Sequence, residues 1–140
     1  MRWIAAALVM LGAFAPAAAQ DDAKDYPSRT IRIVVPFPAG GPADLAARII
    51  AQKMSEDWGQ PVVIENRGGG NTIIGAQLVA KSPPDGYTLL MAIDSTLVMN
   101  QYLYKSLPYD PINDFTPVSV VAKTMQLLIV NASSDVRSVK

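Results

Sequence analysis

The sequence contains neither cysteine nor histidine. Those two absences exclude disulfides, Cys–His and Ser–His–Asp nucleophile systems, zinc sites built on thiolate or imidazole, and a lipid-anchored cysteine. An excess of charge is missing too: 12 Lys and Arg balance 12 Asp and Glu, so nothing electrostatic points to nucleic acid as a partner. Asp and Glu are what remains for acid–base chemistry. No cofactor and no metal site is expected. A chain of 140 residues has room for one domain with a sizeable core, and no internal repeat or low-complexity segment stands out.

The amino terminus reads as a separate piece. Arg2 supplies a positive start, Ile4 to Phe14 an apolar run, and Ala17-Ala18-Ala19 a small-residue cleavage site before Gln20. The uncharged run from Trp3 to Ala19 is short for a membrane span of ~20 residues. Residues 1–19 are therefore expected to be a cleaved signal peptide, giving an exported, soluble product. Residues 20–29 are polar and read as a flexible lead-in.

From Thr30 onward the pattern alternates strand and helix. Thr30 to Pro36 is β-branched and almost continuously apolar, as strands covered on both faces are. Ala43 to Trp58 has an apolar stripe (Leu45, Ala46, Ile49, Ile50, Met54, Trp58) and a helix stop at Gly59. Pro61 to Glu65 is a second strand, with Val62, Val63 and Ile64 expected to be buried. Thr72 to Lys81 is a short helix and Tyr87 to Ile93 a third strand. Asp94-Ser95-Thr96 can cap a helix running to about Tyr104. Leu107 to Phe115 reads as irregular, and Thr116 to Ala122 and Met125 to Val130 as two further strands. The fold class is α/β with a parallel sheet flanked by helices. In doubly wound sheets the first strand is central and ligands bind beyond the carboxyl ends, where neighbouring connections diverge. That rule brings the Pro36–Asp44 loop and the Ile93–Thr96 loop together.

The first of these loops is the most informative stretch. Val35-Pro36-Phe37-Pro38-Ala39-Gly40-Gly41-Pro42-Ala43-Asp44 joins a strand to a helix, whose first N–H groups lack internal partners. Such a turn seats anions, and glycine lets the backbone approach one. Taken alone, the same residues also describe an ordinary strand-to-helix turn, with Asp44 as its helix-start acid. Gly68 to Gly75 follows a strand and opens a helix, but Ile73 stands where a dinucleotide fingerprint needs glycine, and no P-loop Lys-Ser or Lys-Thr follows. Those glycines read as a tight turn and close helix–sheet packing. Asp94 can cap its helix; a bound carboxylate beside it would meet a like charge. Glu65, Asp85, Asp94 and Asp110 have no spacing that pairs two of them on one face.

A longer ordered pattern resembles a known family. Tyr26-Pro27-Ser28, Ile31-Arg32-Ile33-Val34-Val35-Pro36-Phe37-Pro38-Ala39-Gly40-Gly41, Asp44 and Ala47-Arg48 come first. Gly59-Gln60-Pro61-Val62-Val63-Ile64-Glu65-Asn66-Arg67 and Pro84-Asp85-Gly86-Tyr87-Thr88-Leu89-Leu90 follow. Leu103-Tyr104, Leu107-Pro108-Tyr109-Asp110-Pro111 and Asp114-Phe115 close the set. Together they are similar to the Bug proteins, the TctC-like periplasmic receptors of tripartite tricarboxylate transporters. The resemblance implies a type II periplasmic binding protein, not an enzyme, that captures a small carboxylate for membrane subunits and works as a monomer. It implies a first lobe over residues 30–124, with a hinge strand and the start of a crossing to an absent second lobe in 125–140. It also implies that Phe37, Pro38, Ala39, Gly40, Gly41, Ala43 and Asp44, with Asp94, Ser95 and Thr96, line the first lobe's half of the cleft. Ala43 stands where the family often has Ser or Thr, and Asp94 where a small neutral residue is common. Two alternatives are a truncated fragment without binding function and a carboxylate-dependent α/β enzyme.

Overall fold

The structure, a computed structural model, describes residues 25–136 and 138, with residue 126 excepted. The expected signal peptide lies outside the described residues. Three strands form one parallel sheet in the order β2-β1-β3: β1 (Ile31–Val35), β2 (Val62–Asn66) and β3 (Thr88–Leu90). The central place of β1 explains its composition. Ile31, Val34 and Val35 are wholly buried and Ile33 nearly so, because both faces of the strand are covered.

Helix α1 (Pro42–Trp58) carries the chain from β1 to β2, and α2 (Ile73–Ala80) from β2 to β3. The two crossovers run in opposite directions along the sheet, so right-handedness places the helices on opposite faces. Ile33 and Val35 pack against Ala47 and Ala51 of α1, with Phe37, Ala43, Met54, Val62, Ile64, Leu89 and Met91 around them. This corrects the expected stripe except at Met54. Leu45 is 55% and Ile49 70% exposed, and the face turned to the sheet is the alanine row Ala43, Ala47, Ala51. Small side chains let the helix lie close to the sheet, whereas the larger residues dominate any reading by hydropathy. Val63 is likewise 46% exposed, as befits an edge strand.

After β3 the chain makes a π-helical turn (Ser95–Met99) that continues into α3 (Asn100–Leu103). Residues 25–29 are not a free lead-in. The Tyr26 hydroxyl donates to the Gly86 carbonyl at 2.8 Å, Ser28 N–H donates to the Tyr87 hydroxyl, and Arg29 pairs with Asp85 and stacks over Tyr87. The two strands expected at Thr116–Ala122 and Met125–Val130 are absent among the described residues of those stretches. Val118, Val120, Met125, Leu127, Leu128 and Ile129 are more than 75% exposed. A strand needs a neighbour for its ladder, and no described segment offers them one. No described helix is long and apolar enough to cross a membrane.

Candidate functional site

The parallel register fixes which loops meet. Val34 pairs with Leu90, and Met91 N–H donates to the Val34 carbonyl at 2.9 Å. The β1–α1 and β3–π-turn loops thus leave the same rim of the sheet from adjacent strands, as expected. The β2–α2 loop, whose glycines read as a tight turn and close helix–sheet packing, joins them: a Cβ on Gly68 would lie 3.3–3.4 Å from Phe37 and Pro38.

In the β1–α1 loop the expected site residues divide. Pro38, Ala39 and Gly40 are exposed, Gly41 is half-buried, and Gly40 has φ +87°, a conformation glycine adopts without strain. Phe37 and Ala43 turn their side chains to the α1-side core. Leu45 N–H makes the first helical bond, to the Gly41 carbonyl at 2.9 Å. The Ala43 and Asp44 N–H groups precede it and have no partner among the described residues. Helix α1 has 17 residues and no side-chain cap at Gly41, so its positive end is open at the rim.

Asp44 itself points inward. Its carboxylate is almost fully buried and accepts from Arg48 Nε at 2.9 Å, Gly40 N–H at 2.8 Å and Asn66 Nδ2 at 2.9 Å. The Arg48 bond, then the Gly40 and Asn66 bonds, hold its pKa far below the usual carboxylate range. Asp44 therefore shapes the loop from within. Because the folded-state pKa is lowered, its contribution to stability is complete above the unfolded value of about 4 and is lost as pH falls through the folded value. Melting temperature should drop below pH 4 in the wild type. Asp44→Asn should melt lower at pH 7 and lose part of that acid slope, with Glu65, Asp85 and Asp110, also lowered, supplying the rest.

The β3 side differs from expectation in its chemistry. Asp94 caps the turn, accepting Ser95 N–H at 2.9 Å, and its side chain stays exposed. Thr96 is wholly buried; its hydroxyl donates to Thr72 Oγ1 at 2.9 Å and its carbonyl accepts from the Tyr109 hydroxyl at 2.7 Å. Ser95 Oγ is buried and lacks a partner among the described residues. Neither hydroxyl faces the open rim as a donor.

Asn100, also wholly buried, completes a polar cluster beneath this loop. It donates to the Asn71 carbonyl at 2.8 Å and accepts from Asn71 Nδ2 at 2.7 Å, and it lies 3.4 Å from both Thr72 Oγ1 and the Tyr109 hydroxyl. Asn71 and Thr72 have φ +50° and +77°. A β-branched residue in that region is strained, and the cluster holds it there. The only advance signal was polar residues with no exposed role, 24 to 29 positions apart. The four carboxylates with displaced pKa values are all lowered by donors, the opposite of what a general acid requires.

The chain is similar to known proteins over most of its length. Residues 46–140 match the family described as tripartite tricarboxylate transporter family receptor. An uncharacterised protein of Pseudomonas sp. strain P51, encoded in the tcbD-tcbE intergenic region, is 50% identical over 115 residues, which are 81% of this chain and 34% of that protein. BugT of Bordetella pertussis is 41% identical over 128 residues, 89% of this chain and 39% of BugT. An R. palustris protein solved with adipate superposes with a TM-score of 0.65 at 46% identity, over 67% of this chain and 31% of its own. MatC from Rhodopseudomonas palustris, solved with bound malate, gives 0.65 at 42% identity, over 69% and 33%. The chain spans about a third of the length of the relatives it matches. It belongs to the tripartite tricarboxylate transporter receptor family, whose members are periplasmic solute-binding proteins.

Proposed function

We propose that the chain is the first lobe of an exported receptor that captures a small carboxylate for a tripartite transporter. The observation that carries this reading is the start of α1, which has no side-chain cap and where the N–H of half-buried Ala43 lacks a partner among the described residues, close in sequence to the exposed Ala39–Gly40 backbone. Burial and pairing of Asp44 with Arg48 reduce the like charge that would oppose an anion there. The carboxylates held by the R. palustris relatives suit the same chemistry. Residues 1–19 serve as the cleaved export signal, residues 30–124 as the lobe, and residues 125–140 as the hinge strand and the start of the crossing to a second lobe. A receptor that closes on its ligand needs both lobes to exclude water, so this lobe alone binds weakly.

Titrating the 15N-labelled chain with propionate tests the site. Shifts confined to the amides of residues 39–45, with Kd roughly millimolar or weaker, are expected. No shift there refutes the reading, and tight stoichiometric binding by calorimetry refutes the need for a second lobe. The exposure of Val118, Val120, Leu127 and Ile129 favours a second reading, a fragment that binds nothing until further structure covers them. A silent titration supports that one.

A further inference from the structure

We infer that the Tyr109 hydroxyl sets the hydrogen-bond register of the turn at Ser95–Met99, and that the loop carrying Tyr109 can switch this turn between π-helical and α-helical forms. The turn is one residue wider than an α-helix. Asn100 N–H donates to the Ser95 carbonyl, five residues back, where an α-helix would use the Thr96 carbonyl, four back. The Thr96 carbonyl instead accepts the Tyr109 hydroxyl at 2.7 Å. Thr96 is wholly buried and Tyr109 only 6% exposed, so bulk water has no access to replace that hydroxyl. A buried carbonyl that loses its donor is costly. The replacement nearest in the chain is the Asn100 N–H, and taking it closes the turn into α-helical register. The π form carries a cost of its own, since Ser95 Oγ is buried without a partner among the described residues. The two forms exchange one hydrogen bond for another, as a two-state element requires. The handle is the loop 109–115. The Asp110 carboxylate accepts Ile112 N–H at 2.9 Å, Asn113 N–H at 3.1 Å and Asn113 Nδ2 at 2.7 Å, and Asp114 accepts Asp110 N–H at 2.7 Å. The Tyr109 and Phe115 rings meet edge to face, with centroids 5.7 Å apart. The loop is thus one self-bonded piece, and Phe115 adjoins the exposed apolar stretch 116–130. A pull on that stretch reaches Tyr109 through Phe115. Withdrawing the hydroxyl shifts Asp94 and Ser95 by one residue position against α3, roughly 100° about the helix axis.

The test reads the partner of the Asn100 N–H directly, by through-hydrogen-bond coupling in the 15N,13C-labelled chain. The wild type should couple Asn100 to the Ser95 carbonyl. In Tyr109→Phe that coupling should fall by about half or more and a coupling to the Thr96 carbonyl should appear, with faster hydrogen exchange at Ser95–Asn100 as the turn samples both registers. Phe115→Leu keeps the hydroxyl but loosens the loop, so the Ser95–Asn100 resonances should move in the same direction, part of the way. Deleting Val98, which is 55% exposed, should fix the turn in α-helical register. Tyr109→Phe should then lower the urea midpoint less than half as far as it does in the undeleted chain. If Tyr109→Phe alone leaves the chain unfolded, the deletion decides: folding of Tyr109→Phe in that background supports the switch, and failure to fold there overturns it. An Asn100 coupling that stays on Ser95 in Tyr109→Phe also overturns the proposal, as do Ser95–Asn100 resonances that Phe115→Leu leaves in place, or equal midpoint losses in the two backgrounds.

Discussion

Replacing Gly75 with alanine is expected to destabilise the chain by about 2 kcal/mol, lowering Tm by roughly 8–16 °C for a domain of this size. The sign is not obvious, because alanine inside a helix is ordinarily favoured over glycine by about 1 kcal/mol. Contact geometry decides it. A Cβ at Gly75 would lie 2.8 Å from Pro36 Cβ, 2.9 Å from the Arg67 carbonyl oxygen and 3.0 Å from Pro36 Cα. None of these is the far end of a flexible side chain, and Pro36 is itself fully buried. Relief requires α2 to lift off the sheet, and overpacking of this kind costs up to ~3 kcal/mol. The loss exceeds the gain in propensity. Gly41→Ala is the control: its Cβ would meet only the Pro38 carbonyl oxygen, at 3.8 Å, so a change within about 0.5 kcal/mol is expected. Urea denaturation of the two variants separates the cases, and a Gly75→Ala chain as stable as the wild type would mean that α2 does not lie against Pro36.

The same contact shows how far the sequence could be read. Gly75 lies in a run that invites a nucleotide motif, yet the missing third glycine left close helix–sheet packing as the simpler reading, and Pro36 supplies that packing partner. β1 was legible because full burial of both faces leaves a continuous apolar run, and a central strand in a β2-β1-β3 order then follows from topology. The orientation of α1 was not legible. Its alanine row and its leucine–isoleucine row have the same period, and period alone does not say which one a sheet prefers. Asp94 as a cap was legible from local chemistry, since a short carboxylate before a helix has few better uses. The spending of Thr96 on Thr72, and of Tyr109 on the Thr96 carbonyl, was not, because each partner is distant in sequence and ordinary by itself. The apolar runs at 116–122 and 125–130 had strand composition, but composition does not supply the neighbour a strand must pair with.

Asn100 is where the polar cluster should prove most sensitive. Asn100→Leu is expected to cost about 3 kcal/mol and Asn100→Ala about 2 kcal/mol. Leucine is the worse choice although it fills the space better. It sets hydrocarbon against Thr72 Oγ1, the Tyr109 hydroxyl and the Asn71 carbonyl, and it keeps water from replacing the lost amide. Alanine leaves a polar void lined by those groups, which one water can bridge. Both variants also remove the 2.7 and 2.8 Å bonds that hold Asn71 in its positive-φ conformation, with the strained Thr72 beside it. Tyr109→Phe tests the other end of the cluster. It deletes the 2.7 Å bond to the Thr96 carbonyl and should cost about 1–2 kcal/mol. Because Asn100 and Tyr109 hold the same π-helical turn, their effects should be less than additive, with a coupling energy of about 0.5 kcal/mol or more in a double-mutant cycle. Hydrogen exchange locates the damage. Amides of Ser95–Asn100 should lose protection in every variant while those of Ile31–Val35 fall only with global stability. Additive losses with uniform loss of protection would mean that the cluster is core filler, not the fastening that fixes Asp94 at the rim.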